Sequence, residues 1–408
     1  MSSSVVKVNR IAFALERFSR FSGGAESYAL DLADDLQRRG WEVHLYGQEW
    51  DGYPEIAVFH EIAVPRFLPS WAKMLLFALR HRQLVQQERF EVVVGFGNTI
   101  SMNVYQSHGG VHRYSTARKC FSVRNPLLRA IKRLLILLSL KDKVRNWIES
   151  APFRLTPRPR IIAISQMVID DIASYYKVDT ANIALIYNGI DLEKFHPDIR
   201  SLDRNGFRKK HAIPEDHVVF LFMSYTLRKK GIFPLIKAAV ALKHSGRRRV
   251  TVLVVGKKPP ASILRQVRRL GVEDVFRFHG PSKTPEVCLA GSDVLVLPTY
   301  YDTCSLVVLE AMACGLPAIT TRGNGAAGII QNGVDGHVID NPPVPEELTE
   351  AMAVYLNPTV LRAMSVRAAS KAKQYSTTAN HEAVIRIFEE VAREGGKRTE
   401  VQPAQAAG

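Results

Sequence analysis

The stretch PTYYDTCSLVVLEAMACGLP (298–317) holds two carboxylates, Asp302 and Glu310, in apolar surroundings. Its closing glycine and proline predict a helix end. A helix that begins near Ser305 presents the N–H groups of its first turn, including that of Leu306, to an anion. Glu310 then lies over one turn inside and can accept hydrogen bonds from two neighbouring hydroxyls, while Asp302 can meet a second polyol. The pattern favours a nucleotide sugar; the plain alternative is two carboxylates facing solvent.

A basic triplet, Arg228–Lys230, follows a strand-like run and precedes a helical pattern in SYTLRKKG. Cations at that position can neutralise the negative charge of a departing diphosphate. We assign this role to Arg228 and Lys230. A solvated basic loop is the alternative.

Two other loops contain glycines at places where the chain could bind a diphosphate or transfer a proton. Gly23 and Gly24 precede a helical pattern in RFSGGAES, where they allow a diphosphate to approach backbone N–H groups. In VYQSHGGVHRYS, His108 and His112 flank two glycines, and imidazole can shuttle a proton or donate to a hydroxyl. A tight turn and two structural histidines are the alternatives.

The sequence contains no D-x-D pair and no run of His, Cys and carboxylates at metal-ligand spacing. We therefore expect no metal in the site, because the basic residues can take over the neutralisation of a diphosphate. No cofactor is expected beyond the nucleotide-sugar co-substrate.

Short β-branched runs alternate with amphipathic helical patterns along most of the chain, and the series restarts after about residue 205. Such alternation predicts an α/β protein with two doubly wound parallel-sheet domains, whose ligands bind beyond the carboxyl ends of the strands. The polar stretch 188–207 is the expected hinge. The predicted parts are a first domain (1–190), a second domain (191–375), a C-terminal helix (376–395) and a disordered tail (396–408).

The composition narrows the choice of partners. The 408 residues include 55 Lys and Arg against 39 Asp and Glu, a net charge of +16, which favours anionic partners. The four cysteines form no C-x-x-C pair and indicate reduced thiols. The first ten residues lack the apolar core of a signal peptide, and no apolar run reaches 18 residues, so we expect no transmembrane helix.

The segment 124–145 combines a leucine-rich stripe at helical spacing with seven cations. This composition is typical of a helix that lies on an anionic membrane surface. A packed helix with a basic outer face is the alternative.

Together these residues resemble the retaining glycosyltransferases of family 4, which have the GT-B fold. The likeness rests on FSGGAES, LRKKG, YYDTCSLVVLEAMACGLP and the interdomain form YNGIDLEKFHP. Within the family, the sequence is most similar to the bacterial lipopolysaccharide core glucosyltransferases, which transfer glucose from UDP-glucose to a heptose. The resemblance implies an N-terminal acceptor-side domain (1–190) and a nucleotide-sugar-binding domain (191–375) that face each other across a cleft. It also implies that the C-terminal helix (376–395) crosses back to the first domain.

The resemblance also implies a role for each matching position. Gly23 and Gly24 would lie against the donor phosphates, Arg228 and Lys230 would bind the diphosphate, and Glu310 would hold the ribose hydroxyls. Asp302 stands where the family usually has a glutamate that contacts the sugar.

The loop with the two histidines also departs from the family pattern. Gly109 replaces an aspartate of the core glucosyltransferases, so His108 or His112 would take over its work. The implied reaction is retaining, with departure of UDP from the face that the acceptor attacks.

The resemblance further implies a lipid-anchored saccharide acceptor and a cytoplasmic enzyme peripheral to the inner leaflet of the inner membrane. One alternative is a family 4 transferase with another nucleotide-sugar donor, in capsule or glycolipid assembly. A nucleic-acid-binding protein is the non-enzyme alternative, but the basic residues lie beside glycines in loops, without aromatic interleaving or a nucleic-acid motif. We therefore expect no nucleic-acid partner.

Overall fold

The computed structural model of the chain describes residues 8–19, 24–50, 57–123, 125–247 and 249–400. The described residues form two compact units. The first takes its residues from Met1–Tyr114, Ile131–Ile186 and Asn380–Gly408, and the second from Ser115–Ala130 and Tyr187–Ala379. The change of unit after residue 186 comes close to the predicted boundary at 190.

Strands and helices alternate up to residue 186, as the β-branched runs and amphipathic stretches predict. The strands are β1 (Arg10–Ala14), β2 (Arg17–Phe18), β3 (Glu42–Gly47), β4 (Glu49–Trp50), β5 (Val58–Glu61), β6 (Val92–Gly95), β7 (Val104–Ser107), β8 (Arg160–Ala163) and β9 (Ile183–Leu185). The helices are α1 (Gly24–Arg38), α2 (Ser70–Gln87), α3 (His112–Cys120), α4 (Pro126–Leu138), α5 (Leu140–Glu149), α6 (Ala151–Arg154) and α7 (Gln166–Tyr176).

The same alternation continues through the second unit. Its strands are β10 (Val218–Ser224), β11 (Val250–Gly256), β12 (Phe276–Gly280), β13 (Val294–Leu297), β14 (Ala318–Thr321) and β15 (Gly336–Ile339). The remaining helices are α8 (Ile199–Lys210), α9 (Ile232–His244), α10 (Ala261–Arg269), α11 (Pro285–Ala290), α12 (Leu306–Ala313), α13 (Pro345–Val354), α14 (Pro358–Ala372) and α15 (Thr377–Glu400).

Each unit is built around one parallel sheet. The order is β5-β3-β1-β6-β7-β8-β9 in the first sheet and β12-β11-β10-β13-β14-β15 in the second. The chain moves from the central strand of each sheet first to one edge and then to the other, which is the doubly wound arrangement. The predicted fold class is therefore confirmed, and loops that follow the strands converge at one end of each sheet.

The C-terminal helix α15 packs on the core of the first sheet. Its buried side chains, Val384, Ile385 and Phe388, belong to the same apolar cluster as Phe13 of β1, and the Phe13 and Phe388 rings lie 6.2 Å apart. The helix extends to Glu400, so residues 396–400 of the predicted tail are helical here. Residues 401–408 lie outside the described part of the chain.

The predicted hinge is a helix over part of its length. Residues 199–207 belong to α8, which is tied to the second sheet by Asp293, directly before β13. Arg200, Arg204 and Arg208 place one guanidinium per turn against this buried carboxylate, at 3.0, 2.6 and 2.6 Å. Burial lowers the pKa of Arg208, and Asp293 acts in the opposite direction.

No helix of the described ranges combines the length and the apolarity that crossing a bilayer requires.

Candidate functional site

The candidate site of the second unit begins with a close backbone approach. The loops after β10 and β13 leave neighbouring parallel strands, because Phe220 pairs with Val294. Gly231 ends the first loop with φ +88°, and a Cβ at that position would lie 2.0 Å from the carbonyl oxygen of Pro298 in the second. Tyr300 also donates its N–H to the Lys229 carbonyl at 3.1 Å. The two loops are therefore fixed to each other, and only glycine fits at their contact.

This contact brings Lys230 and Asp302 together. The Lys230 ammonium forms an ion pair with the Asp302 carboxylate, and each side chain is about one-fifth exposed. Burial, and then the charge of Lys119, lower the pKa of Lys230, whereas the carboxylate favours its charged form. We regard the pair as ionised because the two groups are in direct contact.

Helix α12 begins beside this pair, as predicted, with Ser305 directly before its first residue, Leu306. The N–H of Ser305 already donates to Asn324 Oδ1 at 3.2 Å. Asn188 also donates to the Cys304 carbonyl at 3.2 Å. Asn324, which no sequence motif indicates, thus accepts the N–H directly before the helix, and Ser305 stays a predicted donor-binding residue.

Glu310 lies inside α12 and is only partly exposed. Burial raises the pKa of its carboxyl to about 7, while Lys194 acts in the opposite direction and Glu286 adds to the increase. A carboxyl with this pKa exchanges its proton near neutral pH. Hydroxyl donors beside it would favour the ionised form and lower the pKa.

Arg228 points away from the ion pair. Its guanidinium donates to Ser262 of α10 at 2.9 Å and lies 5.6 Å from the centre of the Phe233 ring. It lines a cavity of about 320 Å³ together with Lys229, Lys257 and Lys258. The structure thus separates the two cations that the sequence analysis treated as a pair.

His108 follows β7 in the first unit, packed between aromatic rings. Its imidazole centre lies 5.0 Å from that of Tyr28 and 5.5 Å from that of Phe96. Burial lowers the pKa of His108 to about 4. The ring is therefore neutral near pH 7 and suits hydrogen bonding better than proton uptake.

His112 is the first residue of α3, and two carboxylates hold it. Its backbone N–H lies 3.1 and 3.0 Å from the two oxygens of buried Glu149, and its Nε2 lies 2.6 Å from Asp142 Oδ1. Both acids belong to α5. Nothing in the sequence spacing joins Asp142 and Glu149 to the histidine loop.

The glycine pair is described only in part. Gly24 is the first residue of α1, and Gly23 lies outside the described residues. Gly24 therefore belongs to the first turn of the helix that the sequence predicts it to precede.

Side chains of the types that bind metal ions come together away from the predicted site residues. In the described ranges, the one group of three or more such side chains is His44, His60 and Glu88 of the first unit, which includes none of the predicted site residues. The three lie far apart along the chain, so no linear motif reveals them.

Two family models match the chain, one on each side of its middle. The model described as Glycosyltransferase Family 4 matches residues 22–194, and the model described as Glycosyl transferases group 1 matches residues 203–374. Together they cover most of both compact units.

Single relatives are similar over nearly the whole chain. The lipopolysaccharide glucosyltransferase WaaG of Escherichia coli K12 is 24% identical over 90% of this chain and 94% of its own. A D-inositol 3-phosphate glycosyltransferase of an Arthrobacter species is 27% identical over 87% of each.

Solved structures agree with the fold. A crystal structure of WaaG superposes with a TM-score of 0.73, at 23% identity, over 94% of this chain and 99% of its own. Anabaena HepE in complex with UDP and glucose gives a TM-score of 0.67, at 17% identity, over 94% of this chain and 100% of its own.

Replacing Gly231 by Ala tests the backbone contact that builds this site. The new Cβ would collide with the Pro298 carbonyl, so the loops must separate and Lys230 must move away from Asp302. We expect a melting temperature below that of the wild type, and loss of any increase in melting temperature that UDP gives the wild type, measured by thermal unfolding with and without UDP.

Gly246→Ala is the matched control, because Gly246 has φ +78° but no atom within 4 Å of the place that a Cβ would take. This control carries only the left-handed strain of about 1–2 kcal/mol and should respond to UDP as the wild type does. An equal UDP response in both variants would show that the Gly231 contact does not position the site.

Proposed function

The chain belongs to the glycosyltransferases, with a family 4 domain followed by a group 1 domain, and from this premise we propose that it moves glucose from UDP-glucose to a heptose of the lipopolysaccharide core. The observation that carries the donor assignment is the Lys230–Asp302 pair beside the start of α12, which holds Glu310. Similarity to WaaG supports the acceptor, and HepE is a protein of this fold in complex with UDP-glucose.

Each residue of the second unit has a distinct part in this proposal. Glu310 accepts hydrogen bonds from the ribose hydroxyls, and Asp302 orients the hexose. Lys230 and the first turn of α12, including Leu306, face the diphosphate. Arg228 must turn away from Ser262 to reach it, and otherwise acts through the positive field of its cavity. From the first unit, Gly23 and Gly24 would border the phosphates.

The proposed reaction retains the configuration of the sugar and needs no metal. As the glycosidic bond breaks, negative charge grows on the UDP oxygens, and Lys230 stabilises that charge more strongly than it stabilises the bound donor. The acceptor hydroxyl attacks from the face that UDP leaves and passes its proton to the departing phosphate. Lys230 supplies the charge that a metal provides in other transferases, so turnover should persist in EDTA.

We assign the sugar-contacting role in the histidine loop to His108. The ring of His112 is already held by Asp142, whereas His108 is a neutral imidazole beside β7 that can donate to a hydroxyl. His112 then positions the loop through its bonds to α5.

A second donor is the alternative within the family. Asp302 is one methylene shorter than the glutamate usual at this position, which alters the reach toward the hexose. Turnover of a panel of nucleotide sugars, measured for the wild type and for Asp302→Glu, distinguishes a glucosyltransferase from a transferase of another hexose.

The acceptor side of the proposal involves a membrane. All residues of α4 are described and none is buried. Seven apolar side chains of this helix are 45–68% exposed: Leu127, Leu128, Ile131, Leu134, Leu135, Leu137 and Leu138. Lys141, Lys143 and Arg145 follow on α5, all exposed. We propose that this surface holds the enzyme on the anionic inner leaflet, on the cytoplasmic side, next to a lipid-anchored acceptor.

Arg124 of the predicted basic segment lies outside the described residues. Arg129 donates to the Val123 carbonyl at 3.1 and 3.0 Å and covers the Phe121 ring. On the same helix, Lys132 is partly exposed and Arg133 is exposed.

Glu310→Ala tests the donor assignment. A hydrogen bond to a charged group contributes about 1.5–3 kcal/mol, so kcat/KM for UDP-glucose should fall by roughly tenfold or more. In the wild type, the donor KM should rise as the pH falls from 8 to 6, because Glu310 gains a proton as the pH passes about 7. Steady-state kinetics at several pH values measure both effects.

Glu350→Gln is the control for loss of a carboxylate, since Glu350 is an exposed residue of α13 in the same unit. It should leave the kinetics and their pH dependence unchanged. If the Glu310→Ala variant folds and turns over every nucleotide sugar in the panel as the wild type does, Glu310 does not belong to the donor site.

Vesicle flotation tests the membrane surface. Wild-type protein should float with anionic vesicles more than with neutral ones and be released by salt, because each surface cation contributes about 1 kcal/mol. Replacing both Lys132 and Arg133 by Glu should release the protein while donor hydrolysis in solution continues.

The same charge change at Lys209 and Lys210, both exposed at the end of α8, is the matched control and should leave flotation intact. Equal flotation of wild-type protein with neutral and anionic vesicles, or with neither, would contradict an electrostatic membrane surface.

A further inference from the structure

A cluster of ligand-type side chains lies on one face of the first sheet, among strand positions rather than in the loops that carry the candidate site. Arg10 pairs with Glu42 and Ala12 with His44 across β1 and β3, and Tyr46 pairs with His60 across β3 and β5. Since side chains alternate along a strand, Glu42, His44 and His60 share one face. Glu88, directly after α2, completes the group.

The two histidines direct ring nitrogens at each other. His44 Nδ1 and His60 Nε2 are 2.8 Å apart, and one ligand atom from each histidine and from Glu88 lies within 4.8 Å of the other two. Two nitrogens that bind one zinc ion at about 2.0–2.1 Å are roughly 3.3 Å apart. His60 is on the edge strand β5, so a movement of about half an ångström admits the ion.

A second carboxylate lies behind His44 and can support the tautomer that a metal requires. His44 Nε2 lies 2.7 Å from Glu42 Oε1, and an ionised carboxylate only accepts. The tautomer with the proton on Nε2 donates to Glu42 and leaves the Nδ1 lone pair toward His60, and in it Arg10, which can only donate, bonds to its carboxylate partners and not to Nε2. A carboxylate behind a histidine is the usual support of a metal-binding imidazole.

The charges of the cluster also favour a cation. Arg10 contacts both Glu42 and Glu88, at 2.9 and 2.8 Å, and also lies 3.0 Å from His44 Nε2. Its one positive charge meets two carboxylates, which leaves one negative charge in excess on a chain whose net charge is +16.

We propose that His44 Nδ1, His60 Nε2 and a Glu88 oxygen bind one Zn²⁺ ion, with water as the fourth ligand. Nitrogen and carboxylate donors in this number suit zinc better than magnesium or calcium, which prefer oxygen alone. The ion would join β3, the edge strand β5 and the end of α2. It takes no part in sugar transfer, and the inference does not depend on the proposed function.

Metal titration of the full chain tests the site. Protein freed of metal with EDTA and then desalted should bind one Co²⁺ ion with the intense visible absorption of a tetrahedral site, and one equivalent of Zn²⁺ should remove that absorption. Zn²⁺ should raise the melting temperature of the wild type. Absence of stoichiometric binding would overturn the proposal.

Variants separate this site from adventitious binding. His60→Gln should abolish the cobalt spectrum, and Glu42→Gln should weaken binding by about 10–100-fold, as expected for the residue behind a ligand. Glu88→Gln, at a partly exposed position, should also weaken binding with little risk to folding.

His337→Gln is the matched control, because His337 is a half-buried histidine of the second unit that contacts only Tyr355 among the hydrogen bonds described. It should bind metal as the wild type does. Cobalt spectra and Zn²⁺ affinities that are equal in the wild type, His60→Gln and Glu88→Gln would assign the binding to other groups.

Discussion

The approach of the Gly231 backbone to the Pro298 carbonyl is the constraint on which the candidate site depends. Parallel pairing of β10 with β13 brings their following loops to one edge, but a side chain at position 231 would hold them apart. Without that contact, Lys230 and Asp302 would not form an ion pair, and α12 would begin further from the basic loop. The absence of a side chain at position 231 thus allows the two loops to meet, and their contact places an ion pair beside the N-terminus of α12.

Two other buried carboxylates, Asp293 and Glu149, each hold several groups in place. Asp293 binds three arginines of α8 and thereby attaches the segment after the middle of the chain to the second sheet. Glu149 accepts from the His112 N–H and the Tyr176 hydroxyl, and it fixes the start of α3. Breaking such a buried pair costs several kcal/mol, typically about 3–5. The histidine loop and α8 are therefore held by electrostatics as much as by apolar packing.

The doubly wound sheets and α12 could be predicted because their signals are local: β-branched runs, and the glycine and proline that end a helix. Residues 199–207 resemble a linker in their polar composition, but they form part of α8, which is anchored by Asp293, far along the chain. The direction of Arg228 depends on Ser262, and the capture of the Ser305 N–H depends on Asn324. Such partners are set by tertiary structure, so spacing along the sequence cannot reveal them.

A double-mutant cycle on donor hydrolysis tests the central claim that Lys230 and Asp302 act as one unit. The kcat/KM for UDP-glucose is measured in the wild type, Lys230→Met, Asp302→Asn and the double variant. Residues in direct contact couple by about 0.5–3 kcal/mol, so the double variant should lose much less than the product of the two single losses. The account would be contradicted if the fold-decrease in kcat/KM of the double variant equalled the product of the two single fold-decreases. It would also be contradicted if neither single variant changed kcat/KM.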